Sequence, residues 1–182
     1  MELRTRRLLL RPWRADDAGD VAVAFDIYRR WEVARWLGAT PSPWPDEATA
    51  REQLLRWQVF SDEHPGYGLW AVAPGSDGDD GTPVGTVLLM PLRDGADVPT
   101  GEIEIGWHFH PDAWGHGYAT ESASALLEHA WAMGLPCVEA IAFPDNGPSI
   151  KVMERLGMSH QGETSRWYGA TFTWYRIDNP GG

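Results

Sequence analysis

Apolar and polar positions follow two periods along this chain, and the switches between them mark its elements. Residues 6–13, RRLLLRPW, form an apolar run with Pro12 at its end and predict a first strand. The segment ADDAGDVAVAFDIYRRWEVARWLG then predicts a helix that Asp16 can cap and Gly38 stops. After the rigid loop TPSPWP, residues 46–63 predict a second helix with Asp46 as its cap. GYGLWAVAP and TPVGTVLLMP read as two strands of a hairpin, joined by the acidic glycine turn GSDGDDG. GEIEIGWHFH alternates strictly and is the next strand. A helix over 116–133, the strand CVEAIAF, a short helix over 147–156 and closing strands near 159–167 and 171–177 complete the order. No repeat, linker or low-complexity tract interrupts it, so residues 1–182 read as a single mixed α/β domain with a meander in its middle.

Composition narrows the classes. No apolar run approaches the roughly 20 residues that span a bilayer, so no membrane role is expected. The apolar patch in MELRTRRLLLRPW is too short for a signal peptide, and a cytoplasmic location is the expectation. Fifteen basic against 26 acidic residues leave a net charge of −11, which argues against nucleic-acid binding. The same charge only weakly favours a cationic partner, and plain solubility is the simpler account of it. Cys137 stands alone, so neither an intramolecular disulfide nor a cysteine-rich zinc site can form, and it reads as a buried inert thiol. Of 11 tryptophans, Trp31, Trp36, Trp44 and Trp57 fall in the first two helices and their loop. Core packing and an aromatic-lined surface are both open to them.

Candidate chemistry begins at HPDAWGHGYATESASALLEHAWAMG, residues 110–134. Gly115 and Gly117 stand at the mouth of a helix whose Ala119, Ala123, Leu126, Leu127 and Ala130 share one face. Gly134 closes that helix and Pro136 prevents its continuation. A helix N-terminus offers free N–H donors and partial positive charge, and two glycines let a bulky anion approach without meeting a Cβ. A diphosphate fits, and so does a plain turn. The loop lacks the Lys-Ser/Thr pair of nucleotide triphosphatases, and Thr120 stands where a dinucleotide fingerprint wants Gly or Ala.

WGHGYATE resembles the acyl-CoA diphosphate loop of the GNAT N-acetyltransferases, with Trp114, Gly117 and Ala119 in the defined places of its Arg/Gln-x-x-Gly-x-Gly/Ala pattern. Trp in the first place departs from the broad superfamily and is similar to the RimJ/RimL-like branch. LRTRRLLLRPWRADDAGDVA resembles that branch's start, and EIGWHFHPDAWGHGYATE with NGPSIKVMERLGM resembles its two cofactor segments. The resemblance runs from about residue 3 to 177, with the motifs in order. It implies a mixed, mostly antiparallel sheet of about seven strands flanked by about four helices. The fourth and fifth strands, here 102–109 and 137–143, would splay to admit pantetheine. By this resemblance acetyl-CoA is the cosubstrate. Its pantetheine amides would pair near Trp107, His108 and Phe109, and its diphosphate would sit on Trp114, Gly115, His116, Gly117, Tyr118, Ala119 and Thr120.

Amine acetylation needs a neutral amine, a stabilised oxyanion and a proton for the departing thiolate. Alternation puts Glu102, Glu104, Gly106 and His108 on one strand face, and mid-strand carboxylates need a reason. The resemblance makes Glu104 the base candidate, with Glu102 second; an exposed face or a structural ion pair is the plainer alternative. In DNGPS the family's Asn hydrogen-bonds pantetheine and its Ser lies near the sulfur, roles that fall here on Asn146 and Ser149. Asn146 also suits a helix cap. Many relatives carry a Tyr as general acid where Met153 stands, which leaves Ser149 as the candidate donor. His108, His110 and His116 raise a metal reading, but direct transfer needs no metal and no Cys or further carboxylate supports the cluster. No covalent route is supported.

The expected function is direct transfer from acetyl-CoA to a primary amine, with a protein N-terminal amine as favoured acceptor. A polyamine, an aminoglycoside-like compound or an amino acid is the alternative within the enzyme class, and a non-catalytic acyl-CoA-binding module is the alternative outside it. A homodimer is compatible with all three.

Overall fold

Eight strands hydrogen-bond into one sheet, in the order β1-β2-β3-β4-β5-β6-β8-β7, in the computed structural model, which describes residues 1–75 and 81–181. They are β1 (Leu3–Arg4), β2 (Leu8–Pro12), β3 (Gly68–Pro74), β4 (Gly85–Arg93), β5 (Pro99–Phe109), β6 (Cys137–Ala142), β7 (Ser159–Thr164) and β8 (Phe172–Asp178). Every ladder is antiparallel except β5 with β6. The extra strand arises because the chain turns back at its start, with Thr5 N–H donating to the Leu8 carbonyl and Leu3 pairing with Leu10. β3 and β4 form the expected hairpin; the GSDGDDG turn lies mostly outside the described residues.

Among the described residues five α-helices flank the sheet: α1 (Ala18–Tyr28), α2 (Trp31–Ala34), α3 (Glu47–Glu63), α4 (Tyr118–Ala132) and α5 (Gly147–Arg155). The helix predicted after β2 is two helices, because Arg30 is extended at φ −79°, ψ 124°. Its cap is Asp17 rather than Asp16, accepting from Asp20 N–H. A tertiary contact accompanies that choice: the buried Asp20 carboxylate accepts from Arg11 on β2 at 2.6 and 2.7 Å. Asp46 caps α3 as predicted, accepting from Thr49 N–H at 2.8 Å.

Alternation along the strands feeds two cores. Leu8, Val72, Val87 and Ile105 pack with Leu126 and Leu127 of α4 on one face, while Ala71 packs with Ile27, Tyr28 and Leu54 of α1 and α3 on the other. One feature of the sheet matters most for function. β5 runs on to Phe109 and β6 to Ala142, yet their parallel ladder holds one position, Glu104 opposite Glu139. Past Glu104 the two strands part.

Candidate active site

The parted strands open into a cavity of about 900 Å³. Trp107, His108 and Phe109 of β5 line it, as do Trp114, Gly115, Gly117, Tyr118, Ala119 and Thr120 of the glycine loop. Asn146 and Ser149 at the start of α5 complete the meeting of the three predicted segments. Val33, Trp36 and Leu37, from α2 and the loop after it, face the same space.

The loop has the geometry its glycines foretold. Gly115 and Gly117 both adopt φ +79°, and Gly117 is the N-cap of α4 with no side chain to occupy the helix's free donors. A Cβ at Gly115 would meet nothing within 4 Å, and one at Gly117 would meet only Arg7 Nη2 at 3.5 Å. The loop is therefore a bare run of helix-start amides open to an anion. Trp114 closes one side by donating its indole N–H to the Phe109 carbonyl at 2.9 Å. That carbonyl, near which a pantetheine amide was expected to pair, already accepts from Trp114. His116 instead stacks on Tyr118 and lines a separate groove with Asp26 and His110.

At α5, Asn146 caps the helix through Oδ1, which accepts from Ser149 N–H at 3.3 Å. Its Nδ2 donors stay available, so capping and ligand contact are compatible. The half-buried Ser149 hydroxyl has no protein partner among the described residues. Met153 is 1% exposed and packed in the α4-side core, so a Tyr there would have to make room.

Glu104 sits where the strands begin to part, outside the lining of the cavity, and accepts from Tyr168 Oη at 3.1 Å. Burial pushes its carboxyl up to about 7, against the pull of the Tyr168 hydrogen bond. Glu102 differs: burial would raise it, but the Arg166 guanidinium paired with it outweighs burial and holds it below the ordinary range. It is an ion pair with Arg166. Two carboxylates two residues apart thus have opposite environments, the pattern that separates a proton acceptor from a structural anion.

His108 faces the α1 side, its Nδ1 3.1 Å from Tyr28 Oη, which in turn donates to Thr86 Oγ1 at 2.8 Å. Burial pushes its imidazole down to about 4, so it is neutral at pH 7. His110 turns to Asp26 at 3.1 Å, so the three histidines go to three different partners. Among the described residues, no three His, Cys, Asp or Glu side chains gather as a metal site. Trp44 and Trp57 pack around Tyr28 in the core, whereas Trp36 reaches the cavity and Trp31 is 55% exposed.

Two neighbours of this site carry little signal in the sequence. Arg7 lies beside Gly117 and pairs with Glu121 in the first turn of α4 at 2.6 Å, neutralising a carboxylate that would oppose an anion there. Tyr168 joins Glu104 from a distant turn; its one local signal is a Tyr-Gly pair in a tight connection, where Asn-Gly is the usual choice.

Comparison with known proteins agrees with this arrangement. The family model for the acetyltransferase (GNAT) domain matches residues 7–159. The uncharacterized N-acetyltransferase p20 of Bacillus licheniformis is 27% identical over 161 residues, 88% of this chain and 83% of p20. The uncharacterized N-acetyltransferase YnaD of Bacillus subtilis (strain 168) is 43% identical over 60 residues, 32% of this chain and 35% of YnaD, so that match spans about a third of the relative. RimL, a ribosomal L7/L12 alpha-N-protein acetyltransferase solved with coenzyme A, shares the fold at TM-score 0.75 and 13% identity, with 98% of each chain covered. GNAT acetyltransferases use acetyl-CoA. Because the matched span includes the parted strands, the glycine loop and α5 together, the chain belongs to the GNAT family and is an N-acetyltransferase.

Proposed function

We propose that this chain, acting as one domain over residues 1–182, transfers acetyl from acetyl-CoA directly to a primary amine, with a protein N-terminal amine as the favoured acceptor. The observation that carries this reading is the single cavity joining the glycine cradle, the free edge of β5 and the Asn146–Ser149 turn. The fold shared with RimL, which acts on a protein α-amine, supports the choice of acceptor. A small-molecule amine is the second reading. A cytoplasmic location and independence of metal belong to the same proposal.

The loop amides around Gly115 and Gly117 would hold the diphosphate, and Asn146 Nδ2 with the backbone of Trp107 would hold the pantetheine arm. That places the thioester carbonyl within the gap between β5 and β6. Glu104, just outside the cavity lining, takes a proton from the incoming ammonium through water. The amine nitrogen then bonds to the carbonyl carbon as the C–S bond breaks; Ser149 supplies a proton to the departing thiolate and regains one from the nitrogen, which sheds its second proton to become the amide. Peptides with free N-termini, polyamines, aminoglycosides and amino acids, assayed by release of free thiol, test the acceptor. Turnover confined to small amines would overturn the protein acceptor, and no turnover with any amine would overturn the reaction.

Two further results are expected. Acetyl-CoA at 100 times its Kd should stabilise the fold by about 2.7 kcal/mol in thermal unfolding, with chelator present. Loss of that shift on chelation would return the histidines to consideration. Ser149→Ala should slow kcat by roughly 10 to 100-fold with little change in acetyl-CoA affinity, since one hydroxyl contact is worth only about 1 kcal/mol. Full kcat in that variant would reduce Ser149 to a helix-start residue.

A further inference from the structure

The connection between β7 and β8 carries a conformational oddity at the edge of the site. Trp167 to Ala170 form a tight turn, with Ala170 N–H 3.4 Å from the Trp167 carbonyl. Its two central residues are both left-handed, Tyr168 at φ 52° and Gly169 at φ 67°. Glycine suits such a position, and Asn or Asp suits the one before it; a bulky aromatic there is strained. Strain retained in a turn asks for a compensating role.

The surroundings hold Tyr168 firmly. Its N–H donates to the Arg93 carbonyl of β4 at 2.9 Å, and its ring stands edge-on to Phe172, with centroids 6.4 Å apart. Trp167 beside it is fully buried. From this anchored position the Tyr168 hydroxyl reaches Glu104 Oε2 at 3.1 Å and is the carboxylate's hydrogen-bond partner. We propose that Tyr168 is a positioning residue for the acetyl transfer, whose hydroxyl holds the Glu104 carboxylate in place and in its anionic form. This rests on the reading of Glu104 as proton acceptor.

The other charged groups around Glu104 are committed elsewhere. Glu102 on the same strand pairs with Arg166. Glu139, directly opposite on β6, accepts from Trp174 Nε1 at 2.6 Å and lies 3.5 Å from Arg176 of β8. On β4 the residue opposite is Met90, and Arg93 farther along is bound to Asp97. His108, four residues on, turns to Tyr28. No ion pair reaches Glu104 among the described residues, so Tyr168 is the group that favours its charge. A tyrosine hydroxyl, itself pushed further from ionisation by burial and by Glu104, can do this only as a donor.

Tyr168→Phe keeps the ring and removes the bond, so it separates this role from packing. The acid limb of kcat/KM should move up by about one pH unit, the scale of one hydrogen bond to a charged group. Near pH 7 that is a loss of about fivefold, vanishing at high pH, with the KM for acetyl-CoA unchanged. In a Glu104→Gln background the same substitution should change nothing further. Tyr168→Asn, which suits the left-handed backbone, should keep its Tm and still lose activity near pH 7. An unmoved acid limb in Tyr168→Phe, where Glu104→Gln abolishes that limb, overturns the role of Tyr168 alone. An unmoved profile in Glu104→Gln overturns both.

Discussion

Glu104→Gln is expected to lower kcat/KM near neutral pH by about 10² to 10⁴-fold, the range of general-base help, while acetyl-CoA affinity stays within a few-fold. In the native protein burial holds the Glu104 carboxyl at about 7, so the carboxylate form accumulates as pH rises through that value. Native activity should therefore climb through about pH 7 and then level. The variant lacks the climb and follows the acceptor's own loss of a proton. That occurs near pH 8 for a protein α-amine and above about 10 for a lysine-like amine or polyamine, so one profile reports both base and acceptor class. Stability runs the other way. A carboxyl raised from 4.5 to about 7 favours the folded state in its protonated form, a contribution complete below about 4.5 and lost as pH rises through about 7. Gln carries no charge, so above pH 7 the variant should be no less stable than the native protein. Lost activity with a retained Tm then reports chemistry. If the pH profile is unchanged, the role passes to Glu102 or to water alone.

Gly117→Val is expected to weaken acetyl-CoA binding by about 100-fold or more, equivalent to roughly 2.7 kcal/mol. The fold has room for a Cβ at this position, since the nearest atom is Arg7 Nη2 at 3.5 Å. The folding penalty comes from the backbone: φ is +79°, and a left-handed side chain costs about 1 to 2 kcal/mol, more for a β-branched one. Binding carries a further loss, because the side chain projects where an anion must meet the α4 amides. Gly134→Val is the matched control. It sits at φ +80° past the other end of α4, with nothing within 4 Å of its Cβ position, so it bears the same backbone strain away from the loop. Calorimetric titration of both variants with acetyl-CoA, alongside thermal unfolding, separates the terms. Equal affinity losses would make Gly117 a structural turn only, and normal affinity in Gly117→Val would remove the diphosphate from this loop.

Much of this molecule was legible residue by residue. Strict alternation in GEIEIGWHFH made β5, with Glu104 and His108 on one face. The repeat of Ala123, Leu126, Leu127 and Ala130 made α4, and Gly117, Asn146 and Asp46 stand at their helix starts where the chain chemistry put them. The outcome at Asp16 and Asp17 shows the limit. Both can cap, and the choice of Asp17 goes with Asp20 lying against Arg11, a residue of another element. Likewise the helix predicted through Arg30 breaks there, while the Tyr28 carbonyl at the end of α1 accepts from Trp44 N–H in a later loop.

Local pattern determined the elements, their caps, the amide cradle and the identity of the candidate carboxylates, because each depends on neighbours within a few residues. What the sheet decided is how those carboxylates differ. Glu102 and Glu104 are the same residue type on the same strand face, yet Arg166 reaches one and Tyr168 the other. Both partners lie 64 positions away in sequence, on the far side of the β5–β6 junction. Proton affinity is set by burial and by the charges and donors within a few ångströms, and no one-dimensional spacing encodes that distance. The sequence by itself named the two candidates; only the tertiary structure made one an ion pair and the other a buried carboxylate poised near pH 7.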